Sequence, residues 1–307
     1  MHKPDSILLT GAAAHKSISW VEKIRPGLVL VYLSLMGSIC ILGAQRYLGL
    51  KPDYMSCLSF MGLIFGIYTL NHYTDSIEDY INDIAKLFFF KKQSGILLLA
   101  GATLAGSIGI LFLKHNLNWM HLVLLGLGFG YSFKWFPWYK KTTGLYFVRI
   151  KEMTLVKNLS VSFLWAGSIF IIPILNSAPI AYDPFLIWML ASGLFLSTLN
   201  NTLFDDILDE AGDRVAGIKT LPTTWGARKS QIMLMALDIS WIIGVGGLYT
   251  ADQIDWAHAA FLSFLGLYPF LYMSLKAATK LSKGWIDFLS ESDLLLYGLG
   301  LLLLSLH

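Results

Sequence analysis

The stretch FLIWMLASGLFLSTLNNTLFDDILDEAGD, residues 185–213, decides the fold. Its first twenty residues are mostly apolar and, as a helix, are long enough to cross the ~30 Å hydrocarbon core of a bilayer. It ends in five acidic residues within nine positions: Asp205, Asp206, Asp209, Glu210 and Asp213. An earlier apolar run closes the same way, on Asn71, Asp75, Glu78, Asp79 and Asp83. The two clusters hold nine of the chain's 20 Asp and Glu residues. In so apolar a chain these groups must be solvated, paired or bound to cations.

Working outward, the same kind of run recurs. Candidate spans lie at about 27–46, 54–74, 94–113, 118–134, 155–175, 185–204, 231–250, 258–275 and 286–306. Mean hydropathy of +0.60, 55% hydrophobic residues and only 14% charged residues agree with a membrane protein. The expectation is an all-α, polytopic membrane protein: nine transmembrane helices bundled around a central cavity. Residues 1–307 read as a single domain, because no Ser- or Gly-rich linker interrupts them.

Twenty of the 23 Lys and Arg residues fall before the first span or after the even-numbered ones. The other connections carry only Arg46, Lys51 and Lys114. That bias places residues 1–26, the N-terminus and both acidic clusters in the cytoplasm, and the C-terminus on the opposite side. In a bacterial host the helical spans imply the inner membrane. The first 26 residues show no removable signal peptide. The net charge of +3 reflects sidedness, so membrane lipid is the expected surroundings and no nucleic-acid partner is expected. Cys40 and Cys57 fall inside spans with neither disulfide-framework nor metal-ligand spacing.

Asn71, Asp75 and Asp79 are spaced i, i+4, i+8, drifting only ~80° around a helix. Asp206, Asp209 and Asp213, spaced i, i+3, i+7, stay within ~60°. Each set is a stripe of oxygen ligands at the cytoplasmic end of a span. Like charges so placed repel, and carboxylates with open positions suit Mg²⁺ held jointly with substrate phosphates. Basic residues gather on the same side: Arg25 beside Pro26, then Lys134, Arg149 and Lys157, then Arg214. Most Lys and Arg there serve as cytoplasmic anchors, whereas Lys157 stands inside an apolar run and needs a partner. Aromatic residues crowd this side too, and Tyr131 and Phe133 at the end of the fourth span are the ones expected to face inward. Asp238, mid-span, reads as a hydrogen-bonded interior residue.

The segment DILDEAGDRVAGIKTLPTTWG, Asp206 to Gly226, closely resembles the second aspartate motif of the UbiA superfamily of intramembrane prenyltransferases. There D-x2-D-x3-D is followed by Arg, Gly and Thr-Leu-Pro. Asn71-x3-Asp75-x3-Asp79 resembles the first motif, and the Arg25-Pro26 pair also fits. The resemblance implies a helical bundle around a lipid-open cavity, with Mg²⁺ as cofactor and a prenyl diphosphate and a lipophilic acceptor as substrates. It implies that Asn71, Asp75, Asp79, Asp206, Asp209 and Asp213 hold metal and diphosphate, with Lys157 as a catalytic cation. Arg25, Lys134, Arg149, Arg214 and Tyr131 are then substrate contacts. Two departures bear on the acceptor: His72 replaces an Asp common after the first-motif Asn, and YINDIAKLFFFKKQSG after Asp79 lacks the usual Asn-Arg-Pro. A cyclase of the same fold, needing no acceptor, is the alternative among enzymes, and a cation-coupled transporter the alternative from another class.

Overall fold

The computed structural model describes residues 20–75, 81–92, 94–140, 144–177, 182–278 and 283–306. Its helices in chain order are α1 (Trp20–Tyr47), α2 (Tyr54–Thr74), α3 (Ile84–Lys92), α4 (Ser94–Leu113), α5 (Trp119–Ser132), α6 (Val156–Leu175), α7 (Pro184–Leu208), α8 (Glu210–Ala216), α9 (Leu221–Trp225), α10 (Ala227–Thr250), α11 (Trp256–Ala278) and α12 (Lys283–Leu304).

Among the described residues, seven helices are long and apolar enough to cross a membrane. They correspond to α1, α2, α4, α6, α7, α10 and α11. The other two expected spans also fold as helices but fall short of that standard. Helix α5 has 14 residues, about 21 Å at 1.5 Å per residue. Helix α12 is 22 residues long but carries Asp287, Glu291 and Asp293. The first helix starts earlier than its hydropathy suggests, so Arg25 and Pro26 ride on α1 itself.

Helix ends follow their local chemistry. Asp53 caps α2 by accepting from the Met55 and Ser56 amides and also accepts from Asn116 Nδ2 at 2.8 Å. Asn118 and His121 form a capping box on α5. Asp183 caps α7, with Pro184 in its first turn. Packing then closes a ring in which α1 touches α2, α2 touches α5, α5 touches α6, and α6 touches α7; α7 meets α11 and α12, and α12 returns to α1. Helix α4 lies outside against α2, and α10 against α11 and α7.

The all-helical expectation misses one element. Strands β1 (Phe136–Lys140) and β2 (Gly144–Val148) form an antiparallel hairpin between α5 and a 3-10 turn at Ile150–Glu152. Its aromatic and β-branched residues favour extended backbone. Trp138, Tyr139, Leu145 and Phe147 are exposed.

Candidate functional site

A cavity of about 290 Å³ opens inside the ring, near the lower end of the ~300–1,000 Å³ usual for small-molecule sites. One part of its wall is apolar, with Leu33, Phe60, Ile64, Leu124 and Trp165. The acidic side chains line the rest. Asn71 and Asp75 come from the end of α2. Asp206 comes from the last turn of α7, Asp209 from the break between α7 and α8, and Asp213 from α8. Residues 130 positions apart in sequence thus meet across one space. Asp79 lies outside the described residues.

Two lysines occupy this acidic wall. Lys157, in the first turn of α6, places Nζ 2.5 Å from Asp206 Oδ1, and Asn158 donates to Asp206 Oδ2 at 3.1 Å. Asp206 is 4% exposed, so both its oxygens are answered as a buried carboxylate requires. Leu155, just ahead, takes φ +64°, a strained conformation for a side-chain-bearing residue. Lys151 projects from the 3-10 turn, is 5% exposed, and ion-pairs with Asp75 Oδ1. Arg149 reaches the same oxygen at 3.6 Å and holds Glu152 at 2.8 Å.

The remaining expected residues divide. Arg25 and Tyr131 line the cavity, whereas Phe133, also expected to face inward, is exposed and outside its wall. Arg25 is held by Asp83 at 2.5 Å and by Asp287 of α12 at 3.6 Å. Lys134 and Arg214 are exposed and outside the cavity wall; Arg214 pairs locally with Glu210 at 2.6 Å. Asp238 accepts from Asn200 Nδ2 at 2.5 Å in the interior.

Lys151, Asn158, Asp287 and Glu291 also line the cavity, outside either acidic stripe. Lys151 sits in an ordinary-looking basic connection, and only the 3-10 turn directs it inward. Glu291 did carry a signal, an ionisable residue within an apolar run.

The motif glycines have structural work. Gly217 takes φ +74° and ends α8, as a C-terminal cap demands. Gly212 donates its amide to Asn82 Oδ1 at 2.9 Å, and a Cβ there would run into the Asn82 side chain. This contact ties the segment after the first acidic stripe to the second stripe. Leu221 of the Thr-Leu-Pro segment is buried in a cluster with Phe204, Tyr272 and Ile286, under Thr220 as helix cap. Gly212→Ala should therefore cost about 1–3 kcal/mol of stability by overpacking and lower turnover. Adding Asn82→Ala should recover part of the stability by making room. An unchanged melting temperature and activity in Gly212→Ala would show that the contact is slack.

No three His, Cys, Asp or Glu side chains among the described residues form a ready metal cage. The donor set still fits Mg²⁺, which dedicated protein cages rarely enclose and which binds through one or two carboxylates plus substrate phosphates. Asn71 Oδ1 is buried with no hydrogen-bond partner in the cavity wall. The lysine and arginine on Asp75 both meet Oδ1, leaving Oδ2 for a cation.

Residues 30–290 match the model of the UbiA prenyltransferase family. A curated relative, digeranylgeranylglyceryl phosphate synthase of Methanothrix thermoacetophila, is 32% identical over 123 residues. That match covers 38% of this chain and 44% of the relative, so the chain spans less than half the relative's length in that match. Among solved structures, a UbiA homolog from Archaeoglobus fulgidus bound to GPP and Mg²⁺ superposes with a TM-score of 0.59 at 15% identity, over 92% of this chain and 99% of that one. The apo UbiA homolog from Aeropyrum pernix K1 gives 0.59 at 14% identity, over 89% and 98%. At such identities these likenesses establish the fold.

Proposed function

The chain belongs to the UbiA prenyltransferase family, and on that premise we propose that it transfers a prenyl group from a prenyl diphosphate to a lipophilic acceptor within the membrane. The observation carrying this reading is the pairing of Lys157 with Asp206 and of Lys151 with Asp75. One lysine stands on each acidic stripe, in the wall of one cavity.

Asn71, Asp75, Asp79, Asp206, Asp209 and Asp213 would hold Mg²⁺, which would supply neutralising charge for the diphosphate. The protein's own cations do the rest. Lys151 and Lys157, with Arg149 behind Asp75, donate hydrogen bonds to diphosphate oxygens. These bonds strengthen as the prenyl carbon–oxygen bond breaks and its electron pair leaves with the diphosphate. Their aspartates keep them positioned beforehand, so little reorganisation is needed at the moment of reaction. Leu33, Phe60, Ile64 and Leu124 bury the prenyl chain and exclude water from the allylic cation. Tyr131 and Trp165 present ring faces that stabilise positive charge. The acceptor attacks the cation and gives up a proton.

The test is diphosphate release by purified protein from geranyl, farnesyl and geranylgeranyl diphosphate, with Mg²⁺ or with EDTA. Mg²⁺-dependent binding, with release that rises when a lipid or aromatic extract is added, is the expected result. A cyclic hydrocarbon formed without acceptor would make the protein a cyclase. Neither binding nor release at any chain length would overturn the reading.

A further inference from the structure

The cavity has a second polar region, built differently from the wall of lysines. On α7, Thr198, Asn201, Thr202 and Asp205 line the cavity at i, i+3, i+4 and i+7, one face of the helix. Opposite them α12 contributes Asp287 and Glu291, also one face. Asn201 is 5% exposed and gives Nδ2 to Glu291 Oε2 at 3.4 Å. Its Oδ1 is buried with no hydrogen-bond partner.

The threonine hydroxyl protons of this region are already committed. Thr198 donates to the Leu194 carbonyl at 2.9 Å and Thr202 to the Leu199 carbonyl at 3.2 Å, leaving only lone pairs for the cavity. The carboxyl oxygens of Asp205, Asp287 and Glu291 offer acceptor lone pairs to the cavity, as does Asn201 Oδ1. Two cations also line this side, Arg25 and Lys86. Arg25 is clamped by Asp83 and Asp287. Counting Asp83, the acids here outnumber the bases by two. A ligand that satisfies such a wall must bring hydrogen-bond donors, and a carboxylate or phosphate would meet like charge.

We propose that the wall formed by Thr198, Asn201, Asp205, Asp287 and Glu291 binds the head group of the prenyl acceptor, and that this head group is a hydrogen-bond donor carrying no carboxylate or phosphate: an alcohol, phenol or amine. The inference rests on the prenyl-transfer reading and narrows it. It sets this chain apart from the phosphate-bearing product named for the Methanothrix relative.

The experiment uses the full chain in lipid nanodiscs with Mg²⁺ and geranylgeranyl diphosphate. It compares two matched acceptor pairs: 4-hydroxybenzyl alcohol against 4-hydroxybenzoate, and a monoalkylglycerol against its phosphate. Prenyl diphosphate affinity, acceptor binding and prenylated product are measured separately. At least one neutral member should be prenylated with a kcat/KM about tenfold or more above its anionic twin, the scale of one charge-assisted hydrogen bond. Glu291→Gln should raise the KM for that acceptor while leaving prenyl diphosphate affinity within about twofold. Glu291→Lys should move the preference toward the anionic twin. Preference for the anion in the wild type would overturn the proposal, as would an unchanged preference in both variants. So would a Glu291→Gln effect confined to Mg²⁺ or diphosphate affinity, which would assign the acids to a cation instead. Prenyl diphosphate binding with no acceptor of either kind bound overturns it too. Absence of prenyl diphosphate binding defeats the underlying reading, and this inference with it.

Discussion

Lys157→Met lowers turnover of a prenyl diphosphate by about 10²–10³-fold, the range lost when one preorganised donor to a developing anion is removed. The ammonium is the direct partner of Asp206 at 2.5 Å and lines the cavity beside Asp209 and Asp213. Removing it also strands a buried carboxylate, which costs about 3–5 kcal/mol. Native domains have only about 5–15 kcal/mol to lose, so lost activity could come from unfolding alone. The double variant Lys157→Met with Asp206→Asn separates the two effects, because it removes the stranded charge. It should melt closer to the wild type than the single variant and remain inactive. Recovery of turnover in the double variant, or wild-type turnover in the single one, would remove Lys157 from the chemistry. Trp138→Ala provides the contrast: that side chain is exposed on the hairpin, and its loss should leave the KM for the diphosphate nearly unchanged.

Asp75→Asn should reduce turnover about 10³-fold, since several kcal/mol of charge stabilisation disappear with a metal-binding carboxylate. It should also raise the Mg²⁺ concentration needed for half-maximal binding of the prenyl diphosphate. The substitution also has a structural consequence, because Lys151 is 5% exposed and ion-pairs with Asp75. Asparagine keeps the shape and one acceptor oxygen but removes the negative charge facing the buried ammonium, so a lower melting temperature accompanies the lost activity. Lys151→Met combined with Asp75→Asn should restore part of the stability. It should not restore the Mg²⁺ dependence. If Asp75→Asn alone binds the diphosphate with an unaltered Mg²⁺ requirement, the first stripe is structural and the metal site lies elsewhere.

Much of the architecture follows from local sequence. Apolar runs of membrane length mark most helices, because the bilayer demands internally satisfied backbone. The stripes at Asn71–Asp75 and Asp206–Asp213 follow from helical spacing, and Gly217 and Thr220 mark the end and start of short helices through their own backbone and hydroxyl chemistry. The hairpin at Phe136–Val148 was not legible, because a short aromatic-rich segment between spans reads equally well as an interfacial belt. Helix α5 matches its expected span closely, and the acids of α12 are tolerated in an apolar run because residues packed against protein need not satisfy the composition that lipid imposes.

The sequence by itself determined that this is a multi-span helical protein with two carboxylate stripes and an isolated lysine, Lys157, requiring a partner. Tertiary structure alone decided which partner each charge takes. Lys151 meets Asp75 across 76 positions, Gly212 meets Asn82 across 130, and Arg25 meets Asp83 and Asp287. The physical reason is range. Helical periodicity and capping act over a few residues and are written in adjacent letters. An ion pair between distant segments depends on how the helices turn and pack against one another, and no local spacing records that.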